Sequence, residues 1–258
     1  MKLIKIGYFV FFIITPFLLW VIWHPLINRI TFISLLIIMI ISKYLPKVKP
    51  FHNTLEIIIL FLGLEYLFNE FGLNRLFPLN HVFTLFILYL FLLRMKKVTP
   101  GLLRLKKGEI QNHFVISLLF VFLSAAGLSL WFILQRNNSY AELLPSLPIP
   151  FLFLMGIGFA IINGIYEESI FRSILFTHFF EAVGYLPAMF LQAIWFSFLH
   201  YKTGIPSGFI GIILTFSFGI MMGYLLYRSK GIFLPIVVHT TVDFVVFILI
   251  VMRANGLV

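Results

Sequence analysis

The sequence predicts an all-α, multi-pass membrane protein with about eight or nine membrane-spanning helices. Of its 258 residues, 61% are hydrophobic and 11% are charged, whereas soluble domains average roughly 45–50% apolar and about 25% charged residues. Apolar runs long enough to cross a bilayer recur from one end of the chain to the other. An ordinary soluble globule and a disordered chain are therefore excluded. The absence of cysteine excludes a disulfide scaffold, thiolate zinc sites and a cysteine nucleophile.

Nine apolar segments are the candidate spans. The first follows Lys2 and Lys5 but has no small-residue cleavage site near Trp23, so we expect a retained helix rather than a signal peptide. The second and third are interrupted by Arg29 and Glu56, and either could instead be re-entrant. In chain order the predicted spans are 6–23, 26–41, 54–68, 79–93, 114–134, 151–176, 185–201, 208–227 and 232–252.

The distribution of basic residues predicts the orientation. Of 19 Lys and Arg residues, 13 lie on the N-terminal side of this layout, five lie on the other side, and Arg172 lies within a span. Cytoplasmic loops carry the excess of Lys and Arg, so we expect a cell-membrane protein with a cytoplasmic N-terminus. The net charge of +10 is then largely a topology signal. The basic stretch 94–107 is expected to contact anionic headgroups rather than nucleic acid, because it lacks interleaved aromatic residues.

The two parts of the chain differ in composition. Eleven of the 17 glycines follow residue 150, and Gly219 and Gly223 form a GxxxG step, which lets membrane helices approach closely. We therefore expect the last four helices to pack tightly, and the more apolar first four to form a lipid-facing flank. This divides the chain into an N-terminal flank with a basic loop, 1–112, and a core, 113–258. No internal repeat is visible, which weakens a transporter built from inverted halves.

Ionisable residues within spans are the strongest functional signal, because charges in a bilayer are costly and normally face a cavity or a partner. They form three clusters between residues 163 and 243. In order, these are Glu167, Glu168 and Arg172; then His200; then His239 and Asp243, the only aspartate of the chain.

Helical spacing suggests a role for each group. Glu168 and Arg172 are four residues apart with the acid first, which favours a structural ion pair. Glu167 is turned about 100° away on the helix and lacks that partner, which suits a general base. His239 and Asp243 share one helix face, so that Asp243 could accept a proton from one ring nitrogen and orient the other. We assign no role to the other five histidines, and expect Glu56, Glu65 and Glu70 to flank short spans.

Three ordered motifs resemble those of a known family. The stretches Glu167-Glu168-x-x-x-Arg172, Phe196-x-x-x-His200 and His239-x-x-x-Asp243 are similar to the EExxxR, FxxxH and HxxxN/D motifs of the CPBP family. This family, also called Abi, comprises CAAX proteases and bacteriocin-processing enzymes. The resemblance covers about residues 150–250, and it implies an intramembrane peptidase core within an all-α bundle.

The resemblance also implies residue roles. Glu167 and His200 would activate the attacking water, His239 and Asp243 would stabilise the oxyanion, and Glu168, Arg172 and Phe196 would support the site. Metal-free catalysis is favoured, and zinc bound by Glu167, His200 and His239 is the alternative. Some family members carry Asn at the last position, and an ionised Asp243 cannot donate a hydrogen bond. Either burial keeps Asp243 protonated or it orients His239, and we favour the second interpretation.

The sequence does not fix the depth of the site in the membrane or the identity of its substrate. His200 lies 15 residues into its predicted span, about 22 Å at 1.5 Å per residue, whereas His239 would be much shallower. The expected partners are the bilayer and a peptide or membrane-protein substrate, in peptide maturation or bacteriocin immunity rather than prenyl-CAAX cleavage. A cation- or proton-coupled transporter using the same buried groups is the alternative, and a non-enzymatic membrane adaptor is the third interpretation.

Overall fold

The computed structural model describes residues 2–22, 24–73, 76–94, 103–135, 142 and 144–256, and all regular secondary structure within these ranges is helical. One π-helix, Phe17–Ile22, extends the first α-helix, and another, Glu168–Leu175, joins the sixth and seventh into one run, Ile149–Val183. The α-helices are α1 (Lys2–Pro16), α2 (Pro25–Lys43), α3 (Lys49–Glu70), α4 (Leu79–Arg94), α5 (Phe114–Leu134), α6 (Ile149–Glu167), α7 (Phe176–Val183), α8 (Tyr185–Thr203), α9 (Gly208–Ser229) and α10 (Phe233–Ala254).

Each predicted span overlaps one of these helices, and the predicted all-α membrane fold is confirmed. Among the described residues, seven helical runs are long and apolar enough to cross a membrane. The helix α4 is shorter, and α8 carries Gln192, His200 and Lys202, which lower its hydropathy. The helices α2 and α3 have 19 and 22 residues and meet the length of full spans. The predicted span 151–176 was too short, because the continuous helix has 35 residues.

The core is built around α8, which packs against α9, α7 and α1, while α10 packs against α6 and α5. The GxxxG step of α9 faces α8. A Cβ at Gly219 would lie 2.9 Å from the Cα of Ala193, and one at Gly223 would lie 2.8 Å from Nε2 of Gln192. Only glycine allows so close an approach, which confirms the predicted tight packing of these helices.

The N-terminal flank shares this core rather than standing apart from it. The indole Nε1 of Trp195 in α8 donates to the carbonyl of Phe12 at 2.8 Å, and the hydroxyl of Thr54 in α3 donates to the carbonyl of His178 at 3.3 Å. Exposure nevertheless differs between the regions. Only 17% of the apolar window of α2 is buried, against 50% for α10.

The loop before α5 is attached to the turn between α9 and α10. The backbone N–H of Glu109 donates to the carbonyl of Ser229 at 2.8 Å, and that of Ile232 donates to the carbonyl of Arg104 at 3.0 Å. An exposed ion pair joins Glu109 to Lys230 at 2.6 Å. This part of the predicted basic stretch therefore contacts the base of α10, whereas residues 95–102 of the stretch lie outside the described residues.

Candidate active site

The two adjacent glutamates lie at the junction between α6 and the second π-helix. Glu167 ends α6 and Glu168 begins the π-helix. Helices of this type are rare in proteins, and those that occur often lie at functional sites. Both carboxylates contact the ring of His239. Oε1 of Glu168 lies 2.6 Å from Nδ1, and Oε2 of Glu167 lies 3.3 Å from Nε2. The two acids therefore flank opposite nitrogens of one imidazole, a contact that helical spacing did not predict.

The ion pair predicted from helical spacing is present. Nη1 of Arg172 lies 3.4 Å from Oε1 of Glu168, and both side chains are fully buried. The guanidinium lies over the ring of Phe196, 4.3 Å from its centroid, and 5.8 Å from that of Phe218, a favourable arrangement for a buried cation. Glu168 thus connects Arg172 to His239 and is more than the partner of the arginine.

Asp243 does not make the orienting contact that its spacing suggested. Its Oδ1 lies 3.6 Å from Nε2 of His239, too far for a hydrogen bond, and its Oδ2 accepts from Nδ2 of Asn163 at 3.0 Å. The short bond to the ring belongs to Glu168 instead. Spacing within α10 placed Asp243 on the correct face but carried no information about which groups approach from α6. Asn163 was missed, although it lies one helical turn before Glu167 and so on the same face.

The surroundings of His239 determine the form of its ring. Its Nδ1 faces Glu168, and its Nε2 faces both Glu167 and Asp243. Ionised carboxylates only accept hydrogen bonds, so both ring nitrogens must carry protons when these acids are ionised. An imidazolium together with Arg172 then opposes three buried carboxylates, which reduces the cost of burying the cluster.

His200 is held near the C-terminal end of α8. It is buried, and its Nδ1–H donates to the carbonyl of Phe196 at 2.8 Å. In a neutral imidazole this leaves Nε2 as an acceptor. A Cβ at Gly204 would lie 2.3 Å from Cδ2 of the histidine ring, so the glycine one turn later makes room for it. The sequence analysis did not identify this role.

Phe196 brings the three motifs together. Its ring centroid lies 4.4 Å from that of His200 and 6.0 Å from that of His239, and Arg172 lies over its face. Because both histidines contact this one ring, the large difference in depth expected from their positions along the chain is absent. Distance along a helix equals depth in the bilayer only for an untilted helix.

A cavity of about 210 Å³ adjoins the histidines. His200, His239 and Asp243 line it, and the rest of its wall is mainly apolar residues from α5, α9 and α10. Glu167 does not line the cavity, but it contacts His239, which does. The cavity is small and mainly apolar, and three titratable groups are part of its lining.

Two flank residues, Glu65 and His81, approach the site through Tyr166 of α6, a connection that the sequence pattern did not reveal. The hydroxyl of Tyr166 donates to Oε1 of Glu65 in α3 at 2.8 Å, and its ring centroid lies 4.0 Å from that of His81 in α4. His81 is close enough to Glu167 for their charges to interact. Because these contacts join residues about 85 to 100 positions apart, no local spacing could have revealed them.

The alternative zinc set has no matching geometry. Among the described residues, no group of three or more His, Cys, Asp or Glu side chains is arranged to hold a metal ion. Both nitrogens of His239 face carboxylates, and Nδ1 of His200 donates to a backbone carbonyl.

Residues 149–245 match the model of one protein family, described as type II CAAX prenyl endopeptidase Rce1-like. This range contains all three motifs and α6, α7, α8 and α9 in full, and the match confirms the predicted resemblance. It supports a protease in the C-terminal part of a multi-pass membrane protein. No curated protein or solved structure is matched by the chain.

Proposed function

Since residues 149–245 match the Rce1-like family, we propose that this chain is an intramembrane endopeptidase that cleaves peptides or membrane proteins with an activated water. One observation carries the proposal. A buried imidazole lies between two glutamates, and a second buried histidine contacts the same phenylalanine ring. Titratable side chains are costly to bury in a membrane core, and where they occur they usually mark a functional site.

In the first step Glu167 and His200 activate water. Oε2 of Glu167 is buried and lies 3.3 Å from Nε2 of His239. An ionised carboxylate oxygen has a further lone pair, which can accept a proton from water. Nε2 of His200, left as an acceptor by the bond of Nδ1 to Phe196, accepts a hydrogen bond from the other O–H group. The water oxygen then attacks the carbonyl carbon while Glu167 takes its proton, as a general base does.

In the second step His239 stabilises the oxyanion. Its Nε2–H donates to the developing negative charge, and Glu168 keeps the ring in place through Nδ1. An oxyanion donor of this kind contributes most when it is preorganised in a dry site. The C–N bond then breaks, and the proton held by Glu167 passes to the leaving amine. Asp243, held by Asn163, acts through electrostatics and not as a donor.

The substrate class that we propose is a peptide or membrane protein, processed during peptide maturation or as part of bacteriocin immunity, without a metal cofactor. The composition of the chain and its short loops support this class over a prenylated CAAX protein. The proposal assigns no partner besides substrate and lipid, and it includes no nucleic acid.

Cleavage of a quenched fluorescent peptide library by the purified protein tests the activity. We expect activity in the wild type, a loss of at least about a hundredfold in Glu167→Gln, and no effect of a zinc chelator. The matched control is Glu70→Gln, at the exposed end of α3, which should cleave as the wild type does. Activity lost to the chelator and restored by zinc would contradict the metal-free mechanism. A cation flux in liposomes that Glu167→Gln abolishes, without peptide cleavage, would favour the transporter.

We also propose a cytoplasmic N-terminus in the cell membrane. The chain contains no cysteine, so single introduced cysteines report sidedness without background. Labelling of Lys5→Cys only from the cytoplasmic side, and of Arg253→Cys only from the other side, is the expected result. The reverse pattern would contradict the orientation.

A further inference from the structure

The lining of the cavity beside the histidines combines titratable and apolar residues. His200, His239 and Asp243 are the titratable members, and Ser124, Thr215 and Ser217 add hydroxyl groups. The rest is mainly apolar and comes largely from three helices, of which α5 lies outside the family-matched range. Its members are Leu123 and Leu128 of α5, Leu214, Phe218 and Met221 of α9, and Val242 and Val246 of α10. Apolar walls with a few convergent polar groups are typical of ligand sites.

The volume limits what this wall can hold. The cavity measures about 210 Å³, whereas an apolar cavity of about 150 Å³ binds benzene and sites for drug-sized ligands measure about 300–1,000 Å³. One large apolar side chain fits this space. A prenyl chain, which is several times larger than benzene, would extend beyond it.

We propose that this cavity is the subsite that selects the residue next to the cleaved bond, and that it takes one large apolar side chain such as Leu, Met or Phe. The inference rests on the proposed endopeptidase activity. A substrate side chain seated in the cavity brings its own backbone carbonyl close to the titratable groups, because only two bonds separate its Cβ from the carbonyl carbon. The carbonyl then lies beside His200 and His239, where the chemistry takes place.

Leu128 offers a direct way to change the size of the subsite. It is 5% exposed and lines the cavity from α5. Leu130, two residues further along the same helix, is 57% exposed and does not line the cavity. Equal substitutions at the two positions therefore make a matched pair, in which only one changes the cavity.

The experiment uses peptides that differ only in the residue beside the cleaved bond: Leu, Phe, Trp, Ala, Ser or prenylated cysteine. Cleavage is measured for the wild type, Leu128→Ala, Leu128→Phe, Leu130→Ala and Leu130→Phe. Binding of the same labelled peptides to Glu167→Gln, with and without the Leu128 substitutions, is measured by fluorescence anisotropy.

We expect Leu and Phe peptides to be cleaved at least about tenfold faster than Ala and Ser peptides, because each missing methylene in an apolar pocket costs roughly 10- to 200-fold. Leu128→Ala should shift the preference toward Trp, and Leu128→Phe should shift it toward Ala. Both Leu130 variants should keep the wild-type profile.

The remaining outcomes separate this inference from the proposed function. Cleavage without a Leu128-dependent preference, or with prenylated cysteine preferred, would overturn the subsite and leave the endopeptidase standing. Leu128-dependent binding without any cleavage would support the subsite and overturn the endopeptidase. Neither cleavage nor Leu128-dependent binding would overturn both.

Discussion

The N-terminal flank and the C-terminal core are both helical and apolar, yet they use their residues differently. In α1 no atom lies within 4 Å of a Cβ added at Gly7, whereas a Cβ added at Gly219 of α9 would lie 2.9 Å from Ala193. The flank has an i, i+4 contact between His52 and Glu56, both partly exposed. The comparison teaches that apolarity marks helices facing lipid, while small residues and buried charges mark helices facing protein.

The largest effect should come from replacing a core histidine. His239→Asn should lower peptide cleavage by about 10²- to 10³-fold, because it removes the proposed oxyanion donor. The flank counterpart is His24→Asn, whose side chain makes no capping hydrogen bond at the start of α2 and should leave the rate unchanged. Rates are compared at equal concentrations of folded protein in detergent. Equal losses in both variants would remove the distinction between core and flank.

The next effect concerns two ion pairs with the same helical spacing. Arg172→Met should lower the free energy of unfolding by about 3–5 kcal/mol, because it leaves Glu168 buried without its counter-charge. The flank pair is partly exposed, so Glu56→Gln should cost no more than about 1 kcal/mol. Both are measured by denaturant titration in detergent. The double variant Glu168→Gln with Arg172→Met should regain part of the loss, and an equally unstable double variant would contradict this account.

Glycine packing should give a smaller difference. Gly219→Ala should lower the free energy of unfolding by about 1–3 kcal/mol, the usual cost of overpacking, because its Cβ would meet the backbone of Ala193. Gly7→Ala has free space around the new Cβ and should be neutral or slightly stabilising. The same denaturant titration measures both variants. A neutral Gly219→Ala would show that α8 and α9 separate without cost.

The smallest effect is expected at the loop before α5. The hydrogen bond from Lys230 lowers the pKa of Glu109 below its usual value. A lowered folded-state pKa contributes stability above the unfolded value, about 4.3, and this contribution is lost as the pH falls through the folded-state pKa. The protection factor of the Ile232 amide, which corrects the exchange rate for its intrinsic pH dependence, should therefore fall on acidification below about pH 4. Glu109→Gln should abolish this pH dependence. If the pH dependence persists in that variant, it arises from another group.

Much of the architecture could be predicted because it depends on local properties. Hydropathy located the seven helical runs that are long and apolar enough to cross a membrane among the described residues, since the bilayer requires about 20 apolar residues for each. Motif spacing identified the pair Glu168 and Arg172, since residues four apart meet on one helix face. The extent of the helix carrying the glutamates was underestimated, because the run continues without a break through α7 to Val183.

The sequence by itself determined the fold class, the family resemblance and the titratable residues of the three motifs. Hydropathy and helical spacing are properties of neighbouring residues, so they can be read along the chain. Only the tertiary structure decided that Glu168 rather than Asp243 bonds Nδ1 of His239, and that Tyr166 meets Glu65 of the flank. Such contacts depend on the tilt and rotation of helices distant in sequence, which packing sets and local pattern does not record.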